Sequence, residues 1–245
     1  MDIDVDVNQS QAVYDHYREH QQNVRKARLM YGVLAARYRP RVRHIGDGRA
    51  QLRSAIRQGA SLLVVANHVR LSDPLVLAAA GFRSPLRARI GHIRVLAKDE
   101  LFAEPEQRRK IDALGGIPVF RRTDHGMRVA LTAGQQMIDT CTYRMARGDS
   151  IAIFPEGTCN LDDPLHVQKL NSGVGHIARR AGERGADVVA VMAGIAYPDD
   201  SPRRAMVVLG EPFAISELES TTPAGITRVV QTELQAAVDE AQRRK

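Results

Sequence analysis

Ser61-Leu-Leu-Val-Val-Ala-Asn-His-Val-Arg-Leu-Ser-Asp-Pro74 is the stretch on which the fold turns. Ser61–Ala66 is a short aliphatic, β-branched run, the pattern of a strand covered on both faces. Asp73 before Pro74 is a helix start, with Asp as the cap and Pro in the first helical position. A buried strand thus hands over to a helix across a turn that contains His68. In open α/β sheets such strand ends are where active sites collect.

The same alternation continues on both sides. Downstream, helices are expected over Pro74–Ala80, Pro105–Leu114 and Met127–Arg147, the last stopped by Gly148. Strands are expected over Ile93–Ala97, Gly116–Phe120 and Ile151–Phe154. A helix over Ser172–Ala181, strands over Val188–Met192 and Met206–Leu209, and a closing helix over Ile226–Arg244 complete the chain. Strand–helix alternation at these lengths predicts an α/β fold, a mostly parallel central sheet flanked by helices.

Upstream, residues 1–10 read as a loose tail, and residues 11–38 as one or two helices. Residues 1–40 are therefore an N-terminal helical segment, and 41–245 the main domain. The helical segment carries a broken apolar stripe that includes Tyr14, Tyr17, Leu29, Tyr31 and Val33, together with Arg18, Arg25, Lys26, Arg28 and Arg37. It reads as a solvated helix docked on the core, or as a helix lying on an anionic membrane with Tyr at the interface.

The formal net charge of +7 over 245 residues suits anionic partners without choosing among nucleic acid, anionic lipid and phosphorylated substrates. No aromatic-rich basic strand argues for nucleic acid. Two cysteines, Cys141 and Cys159, make neither a metal motif nor a disulfide framework, which points to a reducing compartment. The start, MDIDVDVNQS, lacks a signal peptide's basic and apolar regions. The longest apolar stretch, Leu75–Phe82, falls far short of the roughly 18 residues a spanning helix needs. The expected location is the cytoplasm, or the inner face of the membrane as a peripheral protein.

Three motifs carry chemistry. In the first, His68 and Asp73 are too far apart to share a helix face, but a turn can fold Asp73 back onto the imidazole. A carboxylate on one ring nitrogen fixes the tautomer and prepares the other nitrogen to take a proton. His68 as a plain loop histidine and Asp73 as a simple cap remain the competing reading. The second, Gly115-Gly-Ile-Pro-Val-Phe-Arg-Arg122, ends a strand in two arginines, the side chain best suited to phosphate. The third, Phe154-Pro-Glu-Gly-Thr-Cys-Asn160, ends a strand at Pro155 and turns at Gly157, projecting Glu156 at the sheet edge.

In this order, with Ala97-Lys-Asp-Glu-Leu-Phe102 between the first two, the motifs resemble the glycerolipid acyltransferase family, which includes 1-acylglycerol-3-phosphate acyltransferases. The resemblance runs from about Val42 to Leu209. It implies that His68 and Asp73 are catalytic. It implies that Arg121, or Arg122 in its stead, contacts the acceptor's phosphate. Glu156 and Gly157, with Thr158 beside them, would serve acceptor binding and site geometry. The donor would be acyl-coenzyme A or acyl-acyl carrier protein, with no metal or redox cofactor. The acceptor would be a phosphorylated lipid, most simply 1-acylglycerol-3-phosphate. The chain departs from the family in having Thr158-Cys159-Asn160 where many members have Thr-Arg-Ser. That opens glycerol 3-phosphate, another lysophospholipid or a glycolipid as acceptor. A thioester hydrolase and a non-catalytic lipid-binding protein are the other classes; no Gly-x-Ser-x-Gly elbow supports a serine esterase.

Overall fold

The computed structural model describes residues 3–245. Its strands are β1 (Arg41–His44), β2 (Ser61–Ala66), β3 (Ile93–Lys98), β4 (Gly116–Val119), β5 (Ser150–Ile153), β6 (Val188–Ala196), β7 (Met206–Leu209) and β8 (Phe213–Ala214). They form one sheet in the order β1-β7-β6-β2-β5-β3-β4, with β8 also paired to β6. The run from β6 through β2, β5 and β3 to β4 is parallel, as is β1 with β7; β6 meets β7 and β8 antiparallel. This is the mostly parallel layout that the alternation predicts.

The helices are α1 (Ser10–Glu19), α2 (Val24–Tyr38), α3 (Gly48–Gln58), α4 (Asp73–Phe82), α5 (Pro105–Leu114), α6 (Arg122–His125), α7 (Met127–Ala146), α8 (Gly173–Glu183) and α9 (Pro223–Arg244). They cover both faces. Leu63 and Val65 of β2 point into the core shared with α1, α7, α8 and α9, while Leu62, Val64 and Ala66 point into the core shared with α2, α3 and α4. The period-2 alternation of a strand explains why the whole run is apolar.

Local chemistry sets the ends. Glu104 accepts hydrogen bonds from the amides of Glu106 (3.0 Å) and Gln107 (2.6 Å) at the start of α5. Gly115 ends α5 at φ +91°, and a Cβ there would lie 2.2 Å from the Ile93 carbonyl, so only glycine fits. Ser72, not Asp73, is the capping position of α4, and Asp73 enters its first turn.

Two expectations are corrected. The stretch before Ser10 is not a loose tail: a 3₁₀ turn covers Val7–Gln9, and Ile3, Val5 and Val7 pack on the main core; residues 1 and 2 of that reading lie outside the described residues. The tyrosines of the helical segment do not face a membrane. Tyr14, Tyr17 and Tyr31 are buried, and their hydroxyls donate to the Pro118 carbonyl, the Asp112 carboxylate and the Leu114 carbonyl. A buried phenol needs such a partner, and the main domain supplies it. Among the described residues no helix is long and apolar enough to cross a membrane.

Candidate active site

The register of β2 against β5 builds the centre. Val65 lies opposite Ile153, so the residues three further along each strand, His68 and Glu156, emerge side by side. Glu156 accepts the backbone N–H of His68 on Oε1 (2.7 Å) and that of Gln168 on Oε2 (3.0 Å). It is buried and does not project at the sheet edge: both oxygens tie loops together rather than meeting solvent. Burial, the largest cause, raises its pKa above the usual carboxylate range despite the two amides and His68, which pull it down. Gly157 follows at φ +76°, where a Cβ would lie 2.6 Å from the Asn171 amide nitrogen.

The turn after β2 does fold back. His68 Nδ1 lies 3.0 Å from Asp73 Oδ2. The same oxygen accepts the backbone N–H groups of Val69 (2.6 Å) and Arg70 (2.7 Å). A carboxylate only accepts, so Nδ1 carries the proton and Nε2 is left as the basic nitrogen. Asp73 is completely buried, while the His68 side chain is 17% exposed and so within reach of a ligand. The Phe154 ring sits 4.8 Å from the imidazole. Asn67 holds the strand end by bonding both the N–H (2.7 Å) and the carbonyl (3.0 Å) of Ile195 on β6.

The other sequence-derived residues fall at different distances from this pair. Arg121, between β4 and α6, bonds Asp124 through Nε (2.8 Å) and leans on the Gly157 carbonyl through Nη1 (3.5 Å), which brings it to the third motif. Arg122 is exposed in the first turn of α6, and no hydrogen bond or ion pair among the described residues joins it to the others. Thr158 is exposed, its hydroxyl 3.4 Å from Gln168 Oε1. Cys159 is part-buried, and burial, then Asp73 and Glu156, push its thiol up to about 11. It is protonated at neutral pH and a poor nucleophile. Among the described residues no His, Cys, Asp and Glu group is arranged to hold a metal ion.

The family model described as Acyltransferase matches residues 49–194, from α3 through β6, and contains every residue of this centre named so far except Ile195. The chain belongs to the glycerolipid acyltransferase family. Among curated proteins none matches it. As a member of that family it is an acyltransferase that moves an acyl group to a lipid precursor.

Two residues of this acyltransferase were not singled out by its motifs. Lys98, at the end of β3, lies 3.8 Å from the same Asp124 carboxylate that holds Arg121, and 2.5 Å from Glu100. It sits inside the recognised linking piece, where a lysine before two acids reads as surface charge. Tyr197 follows β6 and donates its hydroxyl to Asp73 Oδ1. It belongs to no motif, and nothing local to it signals a partner 124 residues away.

Proposed function

We propose that this acyltransferase moves a fatty acyl group from a coenzyme A or acyl carrier protein thioester to a hydroxyl of a glycerol-phosphate lipid precursor, with 1-acylglycerol-3-phosphate the first acceptor to test. The observation that carries the reading is the His68–Asp73 contact at 3.0 Å, with Nε2 free of protein partners among the described residues. Nε2 takes the acceptor's hydroxyl proton as the oxygen attacks the thioester carbonyl. Asp73 stabilises the imidazolium that forms. The tetrahedral intermediate collapses, the C–S bond breaks, and the imidazolium returns its proton to the leaving thiolate. Cys159, held protonated, is not needed as an acyl carrier.

Arg121 and Lys98 supply positive charge on the β3–β4 side for the acceptor's phosphate, which has to compete with Asp124 for them. Glu156, Gly157 and Thr158 shape the floor of the site. The acyl-transfer chemistry calls on no metal or redox cofactor. A second acceptor class is favoured by one observation: the part-buried thiol of Cys159 stands where many members carry an arginine, so one cation is missing. That suits a lysophospholipid with a head group or a glycolipid; glycerol 3-phosphate, with the same phosphomonoester, is the remaining alternative acceptor.

The helical segment of residues 1–40 supports peripheral contact with an anionic membrane. Leu29 and Val33, one turn apart on α2, are 68% and 59% exposed, and Arg25, Lys26, Arg28 and Arg37 are exposed around them.

The test is transfer of labelled palmitoyl groups from coenzyme A to a panel of those acceptors by the purified enzyme and by His68→Ala. We expect 1-acylglycerol-3-phosphate to be acylated and kcat/KM of the variant to fall roughly 10²–10⁴-fold. Equal rates in the two proteins would remove His68 as base. Acylation of another lipid while 1-acylglycerol-3-phosphate stays inert would replace the acceptor. Release of free fatty acid in place of acylated lipid would make the enzyme a hydrolase.

A further inference from the structure

We propose that Tyr197 is a positioning residue that orients Asp73 and sets how strongly that carboxylate supports the charge on His68, an inference that rests on His68 acting as the base. Asp73 is completely buried, so each of its oxygens needs a donor from the protein. Oδ2 has three: His68 Nδ1 and the amides of Val69 and Arg70. Oδ1 has the Tyr197 hydroxyl, its one partner among the described residues. Without that bond the carboxylate keeps an unsatisfied buried oxygen and can turn about its Cβ–Cγ bond, carrying the imidazole with it.

The tyrosine is itself clamped. Ala66 of β2 lies opposite Ala193 of β6, so the chain leaving β6 passes beside the turn that leaves β2. Arg70, in that turn, lies over the Tyr197 ring at 4.2 Å from its centroid. Its guanidinium donates to the carbonyls of Asp199 (2.8 Å) and Asp200 (2.5 Å) just beyond. Arg70 therefore grips Tyr197 from outside while its own amide donates to Asp73. The circuit Asp73–Tyr197–Arg70 closes on itself. Burial and the adjacent carboxylate raise the phenol's pKa, so the hydroxyl keeps its proton and remains a donor.

A donor on Oδ1 withdraws charge that Asp73 would otherwise present to His68. Removing it makes the carboxylate a stronger acceptor for the imidazolium and raises the proton affinity of His68. The other groups that face the pair are Arg70, Glu156 behind the His68 amide, and the Cys159 thiol. All three are unchanged in the variants below.

Titration of the His68 imidazole, followed by NMR in the unliganded protein and assigned with His68→Ala, reads this without an acceptor. Tyr197→Phe should raise the midpoint by about half a pH unit or more. Replacing Tyr197 by 3-fluorotyrosine, a stronger donor of nearly the same size, should lower it. In the acyl-transfer assay the acid limb of kcat should move the same way. In Tyr197→Phe, kcat should fall about ten-fold or more, with KM for palmitoyl-coenzyme A changed less than about two-fold. A merely packed tyrosine would lower stability and leave the His68 midpoint where it is, and that result in a folded variant overturns the proposal. Should the Phe variant fail to fold, an unmoved midpoint in the fluorinated protein overturns it equally. Wild-type transfer by His68→Ala would remove the parent reading. A dead His68→Ala beside an unmoved midpoint removes the role of Tyr197 alone.

Discussion

Burial raises the pKa of Glu156 even though two loops use both of its oxygens as acceptors, which pulls the other way. Its folded pKa is raised, so the folded state binds this proton more tightly than the unfolded chain does. The linked stability is fully present below the ordinary glutamate pKa and is lost as pH rises towards the folded value. In urea unfolding, wild type should lose stability relative to Glu156→Gln across that mildly acidic window, and the difference should flatten above it. A constant difference across the window would show that the carboxylate does not titrate with folding. His68, Asp73, Arg121 and Glu156 could be singled out from the sequence as candidates because each sits in a contiguous motif at a strand end. Lys98 and Tyr197 could not, since their significance is a partner brought by another strand. Glu156 was legible as a candidate site residue, but its burial was not: a Pro-Glu-Gly turn reads as exposed until the Gln168 amide is seen to bond it.

At the scale of elements, a buried ion cluster adds to the buried tyrosines in tying the end of α1 to the core. Asp149, just before β5, is met by Arg94 Nε of β3 (2.9 Å) and by Arg144 Nε and Nη2 of α7 (both 2.6 Å). Arg144 Nη1 goes on to the carbonyls of Tyr17 (3.2 Å), Arg18 (2.7 Å) and His20 (3.0 Å), satisfying the open end of α1. Asp149→Asn leaves two buried arginines facing a neutral amide and should cost roughly 3–5 kcal/mol, read by urea unfolding. A loss under about 1 kcal/mol would mean the cluster behaves as a solvated surface pair. Elements with strong local stops were legible: α5 spans Pro105–Leu114 as expected because Pro105 opens it and Gly115 closes it. The strand β1 and the helix α3 were not assigned. Arg41–His44 alternates charge with a half-buried valine and merges with the basic segment before it.

Across the whole molecule, the basic balance and the exposed Leu29 and Val33 give the membrane reading its test. In flotation with vesicles of anionic phospholipid, Leu29→Asp with Val33→Asp should weaken binding roughly ten-fold or more, since each apolar side chain is worth about 1.5–3 kcal/mol when fully buried. Palmitoyl transfer to acceptor dispersed in detergent should be unchanged, because neither residue touches the site. Binding that survives the double change would move the contact elsewhere or remove it. The α/β class, the ends of β2 and of β5 to within one residue, and the candidate acid–base residues follow from order along the chain; β6, expected to end at Met192, runs on to Ala196. Side-chain periodicity, Pro and Gly stops, and contiguous motifs are local. Which strands lie side by side is another matter. Ladder hydrogen bonds join backbone groups common to all residues but proline, so no side chain names its partner strand. Packing of both sheet faces chose β5 and β6 as the neighbours of β2, and that choice put residues 156 and 197 against the turn that holds His68 and Asp73.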